Sequence, residues 1–380
     1  MRVTLLTTDV SPTTGLGTVL YELAHGLAQR QDVRLQVLAM RTTPHRGPLP
    51  AGVDVRYVLP RWTATFRWRP HKLWPMLFPS VALPPTDVLH AVVEFPYAIL
   101  AERLARRSGL PYVVSIHGRY GAVPFGHWEN RALYRRAIRN ASAVTSCSRF
   151  AAEALRQTSG IDRTVEVVGN PVDYARFQGP VDGAAIRRRL RIPETARVIL
   201  GVGALKPVKG FDGLLRAFAR VAAEEPDTVL VIAGAGDAAP YHALAKALGV
   251  AGRVYLVGAA GGADLVGLYQ MCEVFAHLPR YEGFGIVYLE AAACGKPVVG
   301  ARVAGVPEAV RDGETGLLVE EGDTEGAAAA ILRLLRDRAL AGRLGAAGRA
   351  WAQAHSRERF TERIEGIYRR ICNGQGERSP

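Results

Sequence analysis

The chain has 380 residues, 48% apolar and 22% charged, with 48 Lys and Arg against 35 Asp and Glu for a net charge of +13. That length predicts two or three domains, each able to bury a core. The composition excludes a disordered tail, a fibre and a small disulfide scaffold. The positive excess admits three anionic partners: nucleic acid, an anionic membrane surface, or a phosphorylated small molecule. It leans toward the N-terminal half, where residues 1–175 carry 21 basic and 12 acidic side chains. Cys147, Cys272, Cys294 and Cys372 show no metal-binding spacing and read as reduced thiols. The first apolar run is too short for a signal peptide, and no stretch of ~18 apolar residues exists to span a bilayer. A cytoplasmic protein is expected, with any membrane contact peripheral, at the inner face.

In chain order, Val3–Thr7 reads as a buried strand, followed by a loop with Gly15 and Gly17 and a helical run through Val19, Leu20, Leu23 and Leu27. Strands at Arg34–Ala39 and Val53–Leu59 complete a βαβ opening, which implies a parallel sheet. The alternation continues through a strand at Asp87–Val92, a helix at Tyr97–Arg107 and a strand at Tyr112–Ile116. A helix at Asn130–Asn140, a strand at Ala143–Cys147, a helix at Arg149–Gln157 and a strand at Val165–Val168 follow. A polar, Arg-rich stretch then interrupts the pattern up to Pro193. The alternation restarts with strands at Val198–Val202, Thr228–Ala233, Val254–Val257, Val274–His277, Pro297–Gly300 and Gly316–Val319, separated by helices. Residues 350–371 hold one or two more helices. Two α/β units of the doubly wound kind are therefore expected, with ligands beyond the carboxyl ends of their strands. The boundaries are 1–170 for the first unit, 171–194 for a linker, 195–350 for the second unit and 351–380 for a helical C-terminal segment.

The residues richest in chemistry are Arg280–Glu290. Glu282 and Glu290 lie eight apart, and Gly283, Phe284 and Gly285 stand at the mouth of a helix that starts with Ile286 and Val287. Small residues let a ligand approach the main chain, and the free N–H groups of a first turn favour an anion such as a diphosphate. Gly203, Lys206 and Lys209 follow a strand end, where a lysine supplies a compact charge for phosphate oxygens. His117 closes another strand; the other histidines, His277 among them, read as structural. There is no G-x-x-x-x-G-K-[ST], complete G-x-G-x-x-G, G-x-S-x-G or D-x-D.

Taken together and in this order, these residues resemble the retaining glycosyltransferases of family 4. The resemblance rests on Glu282–Glu290 within E-G-F-G, on Ala291–Val299, on Ala304–Glu308 and Asp312–Val319, and on Gly169–Asp173 upstream. It implies the GT-B architecture, two Rossmann-like doubly wound domains facing a central cleft, with acceptors on the first domain and the nucleotide sugar on the second. It implies that Glu282 contacts the donor sugar, Glu290 the ribose and Lys209 the diphosphate, with main-chain help around Gly285. Gly15 would lie by the donor phosphate and His117 by the reacting sugar. The last helix would cross back onto the first domain as a strap. A UDP-sugar is the expected donor, a substrate rather than a cofactor, and neither a cofactor nor a metal is required. Three positions depart from the family pattern: Ala204 stands for the usual Arg, Thr14 for the first glycine of a pair, and Pro279 for Ser.

The acceptor half carries a basic, aromatic run with Arg61, Trp62, Arg67, Trp68, Arg69 and Lys72. It suits an anionic membrane or a lipid-linked acceptor. The competing readings are another GT-B nucleotide-sugar enzyme, or a basic nucleic-acid- or membrane-binding protein without transfer activity. No recognition helix or RNA-binding aromatic motif supports nucleic acid as a partner.

Overall fold

Apolar runs become strands, and the amphipathic runs between them become helices. A computed structural model describes residues 1–12, 14–41, 49–60, 80–126 and 128–374. The chain divides into two units, Met1–Pro171 with Arg357–Pro380, and Val172–Ser356. The basic run holding Arg61, Trp62, Arg67, Trp68, Arg69 and Lys72 lies outside the described residues.

The first unit contains strands β1 (Arg2–Thr7), β2 (Arg34–Met40), β3 (Asp54–Leu59), β4 (Val88–Ala91), β5 (Tyr112–Ile116), β6 (Ala143–Ser146) and β7 (Glu166–Val167). They pair in parallel in the order β3-β2-β1-β4-β5-β6-β7. The order reverses between β1 and β4, the switch point beside which α/β sheets take ligands. β4 and β5 are buried along their whole length, as strands covered on both faces must be. The intervening helices are α1 (Gly15–Ala28), α2 (Tyr97–Ser108), α3 (Arg119–Ala122), α4 (Trp128–Arg139) and α5 (Arg149–Ser159).

The second unit begins with two short helices, α6 (Tyr174–Gln178) and α7 (Gly183–Leu190). They fall in the stretch read as a linker. Asp173 and Asp182 cap them by accepting from the Arg176 and Ala185 N–H groups. β8 (Arg197–Val202), α8 (Phe211–Glu224), β9 (Thr228–Ala233), α9 (Ala239–Ala247), β10 (Val254–Leu256), α10 (Gly262–Met271), β11 (Val274–His277) and α11 (Ile286–Ala293) follow. β12 (Val298–Ala301), α12 (Val306–Ala309), β13 (Leu317–Val319), α13 (Thr324–Arg336) and α14 (Arg338–Ala354) complete it. Its sheet is parallel in the order β10-β9-β8-β11-β12-β13, again reversing beside its first strand. Gln270 of α10 donates to the Phe177 and Gly179 carbonyls, which ties α6 to this unit.

The last helix, α15 (Arg357–Cys372), belongs to the first unit. Its Phe360, Ile364, Ile367 and Ile371 recur at helical spacing and are buried, and Tyr368 is fully buried among them. Arg357 pairs with Glu22 of α1 at 2.6 Å, with both side chains largely out of water. Inside the unit the Tyr368 hydroxyl meets His90 Nδ1 at 2.5 Å, and His90 Nε2 meets Ser115 Oγ at 2.7 Å. Ser115 Oγ in turn meets Thr145 Oγ1 at 2.7 Å. The relay thus runs from α15 across β4, β5 and β6. Burial, with a smaller effect of His117, holds His90 at about 3, so its ring is neutral. Cys147, Cys272 and Cys294 are buried thiols and Cys372 is exposed. Among the described residues no helix is long and apolar enough to cross a membrane.

Candidate functional site

In the second unit the loops after β8 and β11 carry the polar groups. Beyond β8 the chain passes Gly203 and exposed Lys206 into a single 3-10 turn, Pro207–Lys209. Gly210 ends this turn with φ +68, where a Cβ would strike the Leu278 carbonyl. The two loops are therefore in direct contact, and Lys209 and Glu282 meet: Nζ lies 2.5 Å from Oε2, both side chains half-buried. Lys206 has no ion-pair partner among the described residues.

Gly285 precedes α11 with φ +96, a conformation in which a side chain is strained, and a Cβ there would also meet the Tyr288 ring. No side chain caps α11. Its first turn starts with Ile286 and Val287, at the positive end of the helix dipole. The Glu282 carbonyl accepts the Gly305 N–H at 3.0 Å, and Gly305 packs too close to the Gly283 carbonyl for any Cβ. That contact holds the 282–285 loop from below. Phe284 turns its ring inward against His355, so only its main chain is available to a ligand.

Glu290 lies one turn further along α11, half-buried. Its Oε2 accepts the hydroxyl of fully buried Tyr269 at 2.7 Å. Burial raises its pKa, while the Tyr269 hydrogen bond and the Arg176 charge pull it back down. His277, at the end of β11, is fully buried among Gly203, Phe211 and Tyr288, with neither ring nitrogen hydrogen-bonded among the described residues. Burial, then the Lys209 charge, drives it down to about 3, so the ring is neutral.

In the first unit Thr14 is the N-cap of α1. It accepts the Gly17 N–H at 3.0 Å and donates to Asp9 Oδ2 at 2.6 Å. This gives the departure from a glycine pair a physical reason: Thr14 builds the loop. A Cβ at Gly15 would meet nothing, whereas one at Gly17 would run into the Ser11 carbonyl. His117 follows β5. Its Nε2 lies 2.9 Å from the Val92 carbonyl and so carries the proton, which leaves Nδ1 as the acceptor. Burial lowers His117 to about 4, against the bond to Val92, so the ring is neutral at pH 7.

Within the second unit the structure therefore joins Lys209 to Glu282 and holds Glu290 one turn into the adjoining helix. Gly15 and His117 belong to the first unit. Sequence reading missed Tyr269, Arg176 and Asp9; the only signal for the last was its place just after a strand. Among the described residues no group of three or more His, Cys, Asp or Glu is arranged to hold a metal ion.

The chain matches the family described as Glycosyltransferase Family 4 over residues 13–176 and that described as Glycosyl transferases group 1 over residues 182–351. It is 36% identical over 273 residues to a GDP-mannose-dependent alpha-(1-6)-phosphatidylinositol monomannoside mannosyltransferase of Mycolicibacterium smegmatis, covering 68% of this chain and 69% of that one. It is 28% identical over 285 residues to the N-acetyl-alpha-D-glucosaminyl L-malate synthase of Bacillus anthracis, covering 74% of each. Among solved structures, sucrose-phosphate synthase from Thermosynechococcus elongatus superposes with a TM-score of 0.81 at 22% identity, over 98% of this chain and 100% of that one. That last likeness concerns the fold.

Proposed function

The chain belongs to glycosyltransferase family 4 and has the GT-B fold; on that premise we propose that it transfers a hexose from a nucleoside-diphosphate sugar to an acceptor with retention at the anomeric carbon. The observation that carries this reading is the Lys209–Glu282 pair beside the uncapped start of α11. As the bond from the anomeric carbon to the diphosphate breaks, negative charge grows on the leaving oxygens. Lys209, Lys206 and the first-turn N–H groups at Ile286 and Val287 are fixed positive ends for that charge. Glu282 then takes hydroxyls of the donor sugar and Glu290 those of the ribose. Main chain at Gly203, Gly283, Phe284 and Gly285 lines the diphosphate, and Gly15 leaves it room. His117 Nδ1 accepts from a sugar hydroxyl. The acceptor oxygen attacks on the face the diphosphate leaves, and its proton passes to a leaving phosphate oxygen. Retention then needs no covalent sugar–enzyme intermediate.

Sequence reading takes UDP as the carrier, whereas the mycobacterial relative is named for GDP-mannose. Donor hydrolysis with UDP-glucose, UDP-N-acetylglucosamine and GDP-mannose decides between them. Turnover of at least one, lost in Lys209→Ala, is the expected result; hydrolysis of none would end the proposal. The acceptor is a lipid-linked, polysaccharide or small molecule of cell-envelope or glycoconjugate synthesis. Relatives are named for phosphatidylinositol monomannoside and malate acceptors. We place the reaction in the cytoplasm, with the basic 56–74 segment at an anionic membrane face. Sedimentation with anionic vesicles but not neutral ones is expected, and equal negligible binding to both would remove the membrane.

Tyr269→Phe tests the ribose assignment. It leaves the Glu290 carboxylate with one donor fewer, a loss of about 1–3 kcal/mol for a charged acceptor. The donor KM is expected to rise about tenfold with kcat little changed. Discrimination against a 2′-deoxyribose donor is expected to fall with it. Unchanged discrimination would separate Glu290 from the ribose.

A further inference from the structure

Glu94 stands three residues beyond β4 and is fully buried. Its Oε1 accepts the His117 main-chain N–H at 3.0 Å, while its Oε2 has no partner among the described residues. The hydroxyl of Tyr134 on α4 is buried and equally without a partner, and it interacts electrostatically with Glu94. Burying a carboxylate with one bare oxygen is costly, and an apolar side chain would fill the same space without that cost. The group does, however, complete a clamp. The Val92 carbonyl holds the His117 ring, and Glu94, two residues on, holds the His117 main chain. Resting on the reading of His117 as the sugar-side group, we propose that Glu94 is a positioning residue that fixes His117 through its N–H and so sets the direction of Nδ1.

The clamp depends on charge. An ionised carboxylate accepts an N–H more strongly than a protonated one does. Burial pushes Glu94 up to about 7, against its own N–H and that of His117. The groups around it hold one charge state through the neutral range. His117 stays neutral above about 4 and His90 above about 3. Tyr134 is raised well above its usual value by burial and then by Glu94. The rate is therefore expected to rise from pH 6 to pH 8 as Glu94 ionises.

The sign for stability is opposite. The unfolded chain loses this proton near the ordinary glutamate value, about 4.5, and the folded chain near 7. Stability is thus lost as pH rises between the two.

The test compares Glu94→Gln, Glu94→Ala, His117→Ala and Glu94→Ala/His117→Ala as full chains. Kinetics use the best donor from the hydrolysis screen, and each variant is also melted at pH 5 and pH 8. Glu94→Gln keeps an oxygen for the His117 N–H at every pH. Its rise in rate near pH 7 should vanish, with kcat at pH 8 held near the parent's value at pH 6, because the amide is neutral throughout. Its melting midpoint should gain on the parent at pH 8 and not at pH 5. Glu94→Ala should lose at least tenfold in kcat with donor KM unchanged, and lose nothing further in the His117→Ala background. Parental kinetics in Glu94→Ala beside a slow His117→Ala would overturn the proposal alone, as would an equal loss in the His117→Ala background. Parental rates in His117→Ala would overturn the reading of His117 and the proposal with it.

Discussion

Lys209→Ala is expected to lower kcat at least a hundredfold while the melting midpoint shifts by less than about 3 °C. The rate effect has two parts. On the proposed reading, the variant removes a fixed cation from where the leaving diphosphate would gather charge, and loss of one such donor costs roughly 10²–10³ in rate. It also leaves the half-buried Glu282 carboxylate, held at 2.5 Å from Lys209 in the parent, with no counter-charge. A diphosphate approaching that carboxylate is repelled, so donor affinity falls along with turnover. The stability effect is small because both side chains keep some contact with water, 26% and 19% exposed, and ion pairs that do contribute only about 0–1 kcal/mol. Glu282→Ala has the opposite charge effect. Lys209 becomes free for the phosphate, and the contact to the sugar is lost, so kcat falls while a plain nucleoside diphosphate binds as well or better. Single-turnover transfer and nucleoside-diphosphate titration of both variants check the pair. A rate within threefold of the parent in Lys209→Ala would remove the diphosphate from this loop.

Tyr368→Ala is expected to destabilise the first unit by about 3–5 kcal/mol, the range for deleting a large buried aromatic. The side chain is fully buried on α15, and its hydroxyl is the partner of His90 Nδ1. Tyr368→Phe keeps the ring and leaves that nitrogen bare inside the core, at a cost of about 1–3 kcal/mol. Urea denaturation followed by a probe in each unit separates the effects. The transition of the first unit should move to lower urea, while nucleoside-diphosphate binding by folded protein stays unchanged. A shift below about 1 kcal/mol in Tyr368→Ala would mean that α15 is held by other contacts.

The alternation of strands and helices was readable because parallel strands covered on both faces are continuous apolar runs, as at Val198–Val202 and Thr228–Ala233. α15 was readable from the spacing of Phe360, Ile364, Ile367 and Ile371. α6 and α7 were not, because they are short and Arg-rich, and their signal lay only in the caps Asp173 and Asp182. In the site, Glu282, Gly285 and Glu290 stand close in sequence and could be read as one motif. Lys209 was readable as a cation beyond a strand, but its pairing with Glu282 was not. Glu94 acts across the parallel neighbours β4 and β5, and Tyr269 reaches from α10 to Glu290 on α11, so the distances that matter are set by strand register and helix packing rather than by spacing along the chain. Phe284 was read with its glycines as a donor contact, but its ring serves the core beside His355.

The first unit is built from two pieces of chain separated by the whole of Val172–Ser356. During synthesis the β-sheet of residues 1–171 leaves the ribosome without the helix that covers it. At roughly 5–20 residues per second, about 10–40 s pass before Arg357 is made. For that interval the apolar faces that will receive Ile364 and Tyr368 stay open to solvent, to chaperones and to other nascent chains. Yield in a cell therefore depends on how fast the middle of the message is translated, and slow codons within the second unit should depress it more than slow codons within the first.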